Sequence, residues 1–387
     1  MAIPDYNGRK VWLSMPEGLR PGDILLTRNV YGTAKKNLDA TLIHGATGGE
    51  FDHALICTSP PTFAEAISIG VTTLSVYRCF AHELEHVRVL RLPDVETAAR
   101  AAGLAQMQVG RSYCKRRAVA SVFPDAVINR IRSKGIFCSS LVAQVFQQAG
   151  AKAFEGVQVA RTTPATLANL AGLEDVTWQV FRHDLAPANI EELSALDGER
   201  VYTPSYRQTL FTLAYADALL PLADEFAAAF SEADLTPPVT FYELIDFLVS
   251  AHRKMSDLPR PLQPAFLTAL IDLDNQTDRL MADGALDGVF KEMRALEGAS
   301  LTNMIAKSYD AKPDIDTAAL KGLLSNRRSE MPKRLEAALS FAPDRDVLKS
   351  VDRWCGWQDA VNGDFKASVT LLQEVVQRVE GRSAADR

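Results

Sequence analysis

The spacing of hydrophobic residues changes character near residue 187. Upstream of it, short apolar runs punctuated by turn residues are interleaved with helical stretches. Arg20-Pro21-Gly22-Asp23 reads as a turn entering the apolar run Ile24-Leu25-Leu26, a predicted strand. Residues 32–46 carry a helical pattern ending at Gly48-Gly49. His53-Ala54-Leu55-Ile56-Cys57 reads as a strand closed by Ser59-Pro60-Pro61, and Thr62-Phe63-Ala64-Glu65-Ala66-Ile67 as the next. Val87-Arg88-Val89-Leu90-Arg91-Leu92 alternates in part and predicts a further strand. Asp94 to about Gln108 is alanine-rich and helical. Leu141, Val142, Val145, Phe146 and Ala149 fall on one helical face, and Gly150 supplies the stop.

Downstream of Pro187-Ala188-Asn189, helical periodicity dominates. Thr240-Phe241-Tyr242-Glu243 has the form of a capping box opening a helix that runs toward Arg253. Segments near 206–231, 264–283, 285–296, 315–325, 332–341 and 364–380 also read as helices, with a frayed polar tail from Gly381. No fixed-period repeat occurs, which argues against a solenoid. The pattern predicts an α+β domain over 1–187 and an all-α domain over 188–387. Trp354-Cys355-Gly356-Trp357 is expected to pack in the helical domain's core.

Composition agrees with an ordinary globular protein. The chain has 387 residues, enough for two domains, with 47% hydrophobic and 23% charged residues. A net charge of −6 argues against a general nucleic-acid binder. Lys115-Arg116-Arg117 and Arg130-Ile131-Arg132-Ser133-Lys134 are local basic clusters, read as solvated surface. Five cysteines without a CxxC pair fit a reducing compartment. The start lacks the basic and apolar regions of a secretory signal, and no apolar run reaches the roughly 18–20 residues of a membrane span. A cytoplasmic protein is expected, with signal-independent export left open. The helical segments are amphipathic as core-packing helices are; partner docking or membrane contact through them is open but not indicated.

The chemistry in this pattern begins at Cys138. It stands in the first turn of its predicted helix, where the dipole and unpaired backbone N–H groups favour thiolate. The same N–H groups suit an oxyanion forming beside the sulfur. His53 supplies a candidate base, and in strand alternation it shares a face with Leu55 and Cys57. Glu65 shares a face with Phe63 and Ile67 on the next strand. Two adjacent strands would bring His53 and Glu65 together, and the carboxylate would then fix the imidazole tautomer. Taken singly, each residue also fits a structural role.

The order His53, Glu65, Cys138 resembles the circularly permuted NlpC/P60 branch of papain-like proteins. Within that branch the chain is most similar to YiiX/YebB-like cysteine hydrolases. The matching pieces are Pro21-Gly22-Asp23-Ile24-Leu25, Phe51-Asp52-His53-Ala54-Leu55-Ile56, Phe63-Ala64-Glu65-Ala66 with Gly70-Val71, and Val87-Arg88-Val89-Leu90-Arg91-Leu92. Gly110-Arg111-Ser112-Tyr113, Phe137-Cys138-Ser139-Ser140-Leu141-Val142 and Thr163-Pro164 with Leu167 complete the set, over about residues 17–175. The resemblance implies a permuted papain-like fold with Cys138 as nucleophile, His53 as base and Glu65 as third member, and no cofactor. It implies attack on an amide or ester carbonyl through an acyl-thioester, on a peptide, amide or lipid acyl substrate. Lecithin:retinol acyltransferase-like relatives apply the same order to lipid esters. Ser140 departs from the glutamate that many relatives have after Cys-Ser. The signal-free start departs from wall-acting relatives.

His82-Glu83-Leu84-Glu85-His86 competes as an HExxH zinc-hydrolase pattern. Glu85 adds a charge inside the motif, no third ligand follows at a familiar spacing, and strand-like Val87-Arg88-Val89-Leu90 begins at once. A polar loop or short helix is the expectation there, so the site carries no metal expectation. A papain-like scaffold without catalysis is the remaining alternative.

Overall fold

The computed structural model describes residues 8–15, 18–31, 50–114, 135–201, 203–307 and 317–385. The helix expected over 32–46 and the two basic clusters lie outside them. The architecture is mixed α+β, with sheets in the N-terminal part and a helical C-terminal part. The chain divides into two compact units, Met1–Tyr206 and Arg207–Arg387. The boundary falls later than the expected 187–188 because residues after 188 still pair with the first unit's strands.

The strands are β1 (Lys10–Ser14), β2 (Ile24–Thr27), β3 (His53–Ser59), β4 (Thr62–Ile67), β5 (Gly70–Ser75), β6 (Cys79–Ala81), β7 (Val87–Arg91), β8 (Glu174–Asp175), β9 (Phe181–Leu185) and β10 (Ser194–Ala195). One sheet has the order β5-β4-β3-β2-β7-β8 and the other β10-β6-β1-β9. The first is antiparallel throughout; in the second, β10 runs parallel to β6. The strands read from the sequence are β2, β3, β4 and β7. Strands β1, β5, β6, β8, β9 and β10 do not stand out in the sequence, since Lys10–Ser14 and Phe181–Leu185 mix charged and apolar residues and the others are short or lack clear alternation.

The first unit's helices are α1 (Val95–Met107), α2 (Cys138–Gln148), α3 (Pro164–Ala168) and α4 (Thr177–Val180). Asp94 caps α1 by accepting from Thr97 N at 3.1 Å. Thr163 caps α3 by accepting from Thr166 N at 3.1 Å, with Pro164 in the first turn. Both α1 and α2 pack on β3. Ile24, Leu25 and Leu26 are all buried, which is why β2 reads as an unbroken apolar run rather than an alternation. Leu25, Leu55, Cys57, Phe63, Val87 and Val89 form one core cluster with Val176, Val180 and Phe181.

The Pro21-Gly22-Asp23 turn is a structural anchor. Gly22 has φ +86°, and a Cβ there would lie 2.6 Å from the Ala98 carbonyl oxygen of α1. Asp23 is buried and accepts from Arg91 Nε at 2.8 Å, Arg91 Nη2 at 2.6 Å and Arg20 N at 2.8 Å. This pair ties the start of β2 to the end of β7.

The helical unit comprises most of α5 (Pro204–Ala229), then α6 (Phe241–Lys254), α7 (Gln263–Met281), α8 (Ala285–Lys307), α9 (Thr317–Phe341) and α10 (Lys349–Ala385). Thr240 caps α6, accepting from Glu243 N at 3.0 Å. Glu243 Oε2 reaches back to Val239 N at 2.8 Å, one residue earlier than a capping box requires. The segments expected at 315–325 and 332–341 form one helix with Pro332 inside it. The segment expected at 364–380 is part of α10, which runs on to Ala385 where a frayed tail was expected. Trp354 and Cys355 are buried in the core with Phe241, Leu244 and Leu270, as packing residues.

Candidate active site

Cys138 is the first residue of α2, and the helix is closed in front of it by Ser140. The Ser140 hydroxyl accepts from Phe137 N at 3.0 Å and donates to Phe137 O at 2.8 Å. Ser139 Oγ donates to Thr162 O at 2.7 Å. The helix start is thus pinned on both flanks of the sulfur. Leu141, Val142, Val145 and Phe146 are fully buried and hold the helix against the sheet. Cys138 is only 4% exposed.

His53 and Glu65 meet through strand register. Leu55 lies opposite Glu65 in the β3–β4 pair, so His53, two residues back on the same face, is Glu65's diagonal neighbour. His53 Nε2 lies 2.9 Å from Glu65 Oε2. Because a carboxylate only accepts, Nε2 carries the proton. The Cys138 sulfur lies close enough to the same ring for each group to shift the other's hold on its proton. The three sequence candidates therefore come together, with the ring on the buried carboxylate and the sulfur beside it.

Electrostatics follow from this arrangement. Burial disfavours the His53 cation, but hydrogen bonds to Cys138 and Glu65 and their charges outweigh it, pushing the imidazolium up to about 10. Burial likewise opposes the Cys138 thiolate. The hydrogen bond and charge of His53, with the N–H groups of Ala54 and Ser139, overcome it and hold the thiol below its ordinary value. Both shifts run toward the thiolate–imidazolium form of the pair. Three sulfurs behave oppositely: burial drives Cys57 well above the ordinary range, Cys79 up to about 12, and Cys355 upward.

Two residues absent from the sequence reading complete the surroundings of Glu65. Tyr206 Oη donates to Glu65 Oε1 at 3.3 Å, and Arg200 Nη2 lies 3.8 Å from Glu65 Oε2. Burial pushes the Glu65 carboxyl up, but Arg200 first and then His53 and Tyr206 hold it below the usual range. Glu65 itself has no solvent exposure. The contacts span up to 141 positions of chain, so no local pattern carries them. Asp197-Gly198, a turn dipeptide just before Arg200, is the one signal in the sequence that marks the segment.

The HExxH segment does not form the helical turn that zinc binding needs. β6 ends at Ala81, Leu84–His86 form a single 3-10 turn, and β7 begins at Val87. Both rings point at one buried carboxylate: His82 Nδ1 lies 2.7 Å from Asp197 Oδ1 and His86 Nδ1 3.0 Å from Asp197 Oδ2. Glu85 is 81% exposed. Among the described residues, no group of three His, Cys, Asp or Glu side chains is placed to hold a metal ion. Nor is any described helix long and apolar enough to cross a membrane.

No family model, curated protein or solved structure matches the chain.

Proposed function

We propose that the chain is a cysteine hydrolase or acyltransferase acting through Cys138, His53 and Glu65, on a permuted papain-like (NlpC/P60) N-terminal domain. One observation carries the reading: a buried carboxylate holds a histidine ring that a helix-start thiol adjoins. The resemblance in the order and wording of the motifs supports it.

In the proposed reaction the Cys138 thiolate attacks the carbonyl carbon of an amide or ester. The C–S bond forms as the carbonyl π pair moves to oxygen. The first-turn N–H groups of α2, which the helix itself leaves without i−4 acceptors, stabilise that oxyanion. His53 then gives its proton to the leaving nitrogen or oxygen, the C–N or C–O bond breaks, and an acyl-thioester remains. Water, or another nucleophile, loses a proton to His53 and attacks the thioester; the C–S bond breaks, releasing the acyl group and restoring the thiolate–imidazolium pair. Glu65 keeps the ring oriented and stabilises its cation throughout. The chemistry is common to peptide and lipid acyl groups. Five free cysteines fit a reducing cytoplasm.

Hydrolysis of an activated ester such as p-nitrophenyl acetate, with Cys138→Ala beside His82→Ala, tests the reading. Loss of at least about a thousandfold with Cys138→Ala is expected. Activity that survives Cys138→Ala but disappears with His82→Ala or a chelator would instead establish zinc hydrolysis.

A further inference from the structure

The HExxH histidines converge on Asp197, and the chain that follows Asp197 supplies both residues that contact the far side of Glu65. We propose that Asp197, clasped by His82 and His86, is a positioning residue of the thiol site: it fixes the turn at residues 194–199 so that Arg200 and Tyr206 lie against Glu65. The proposal rests on the cysteine-hydrolase reading and gives the HExxH segment a role in it.

The segment is pinned at its tip. Leu196 N donates to Phe80 O at 2.7 Å, and Ala195 N donates to Glu199 O at 3.0 Å, closing a tight turn around Asp197. The Asp197 carboxylate has no solvent exposure. Besides the two rings, it accepts from His82 N at 2.9 Å and Glu83 N at 3.3 Å. The Asp197 backbone carbonyl accepts from Val30 N and Tyr31 N, both at 2.9 Å. The Tyr31 ring lies over His82, with centroids 4.4 Å apart. Gly198 completes the fit: a Cβ there would come within 3.0 Å of Ala195 Cβ and 3.7 Å of His82 Cε1.

The clasp is suited to a fixed role. A carboxylate can only accept, so each Nδ1 carries a proton toward Asp197. Nδ1 can be protonated in both the neutral and the cationic ring, so the contacts persist whichever form the rings take. Burial works against the Asp197 anion, but the hydrogen bonds from His82 and His86 outweigh it and hold the carboxyl below its usual range.

Arg200 needs such an anchor. Its Nη1 is buried and makes no hydrogen bond among the described residues, and Nη2 approaches Glu65 only to 3.8 Å. No bidentate fork fixes the guanidinium, so its aim depends on where the backbone places it. Tyr206 depends on the same stretch: its N donates to Thr203 O at 3.0 Å, while the neighbouring Ser205 carbonyl accepts from Thr72 Oγ1 at 3.4 Å. The groups facing Glu65 are His53 from β3, Arg200 and Tyr206 from this segment, and Cys79 from β6. Arg200 is the permanent cation among them. Withdrawing it takes a positive charge from the cluster, which strengthens the hold on protons at Glu65 and, through space, at Cys138, and so moves thiolate formation to higher pH.

The test is the pH dependence of iodoacetamide alkylation at Cys138 in the full chain, which needs no knowledge of the substrate. Asp197→Ala and Arg200→Met should each move the acid limb upward by about half a unit, a roughly threefold slower reaction at a fixed pH on that limb. Arg200→Lys should restore most of the shift. The double variant should move well short of the sum of the two single shifts, because both changes act largely through one cation. Asp197→Asn, which keeps an oxygen for the backbone N–H groups, should shift in the same direction by less and serves if Asp197→Ala does not fold. An unmoved limb in Asp197→Asn or Asp197→Ala, or additive shifts in the double variant, would overturn the proposal while leaving the hydrolase reading intact. Wild-type Cys138 titrating as an ordinary thiol would instead overturn that reading, and the proposal with it.

Discussion

Two buried carboxylates in the first unit each hold histidine, and only one does so against a thiol. Glu65 takes the His53 Nε2 on one oxygen and Tyr206 on the other, leaving the far side of the ring to Cys138. Asp197 takes two rings and two backbone N–H groups, so its histidines close a turn rather than face a nucleophile. In sequence the second constellation is the more conspicuous, because its histidines fit a short motif. The first is scattered over residues 53, 65 and 138. A carboxylate–histidine pair acquires chemistry from what meets the other ring nitrogen, and motif spacing does not specify that.

The largest contrast is expected between the two histidine sets. His53→Ala should slow ester hydrolysis by about a thousandfold and return Cys138 alkylation to the pH dependence of an ordinary thiol. His86→Asn, which keeps a donor toward Asp197, should stay within about threefold of wild type. Comparable losses in the two variants would erase the distinction.

Removing charge from Glu65 should have the next largest effect. Glu65→Gln should lower the rate by about ten- to a hundredfold, within the range of positioned acid–base groups. The signs are fixed: without the anion the His53 cation is less favoured, so the basic limb falls from about 10. The Cys138 thiol rises at the same time, since it relies on that cation. The active pH window should narrow from both sides, as a pH–rate profile would reveal. A uniform fall in rate with unmoved limbs would argue for a packing role alone.

A stability change sharpens the comparison by leaving both constellations in place. Asp23→Ala strands a buried Arg91 cation that two hydrogen bonds now neutralise. It should cost about 3–5 kcal/mol in urea unfolding. Alkylation of Cys138 in the protein that remains folded should keep its wild-type acid limb.

The smallest effect is expected at Glu83. A zinc hydrolase would use this side chain as its base, and Glu83→Gln would then remove most of the activity. In the clasp only the Glu83 backbone N–H takes part, and the side chain is exposed. Unchanged ester hydrolysis is expected, and a loss beyond about tenfold would reopen the zinc alternative.

The elements that position the site were legible because local rules govern them. Cys138 begins a helix whose apolar face recurs at helical spacing, and His53 and Glu65 lie on strands separated by the Pro60-Pro61 turn. Strand alternation then puts the two polar groups on one face. The second sheet is hard to read in the sequence because its strands are short or carry polar groups outward, as Arg182 and His183 do. Ser194 and Ala195 join the first unit as a two-residue strand beside β6, too short to leave a pattern in the sequence.

By itself, the sequence determined the helix-start thiol, the two strands bearing His53 and Glu65, and the helical character of the C-terminal half. These depend on periodicity and turn chemistry among near neighbours. Only the tertiary structure decided that Arg200 and Tyr206 lie on Glu65, and that His82 and His86 clasp Asp197. Those contacts join residues more than a hundred positions apart. Burial away from water gives such ionic contacts their strength, and which groups are buried together is a property of the assembled fold.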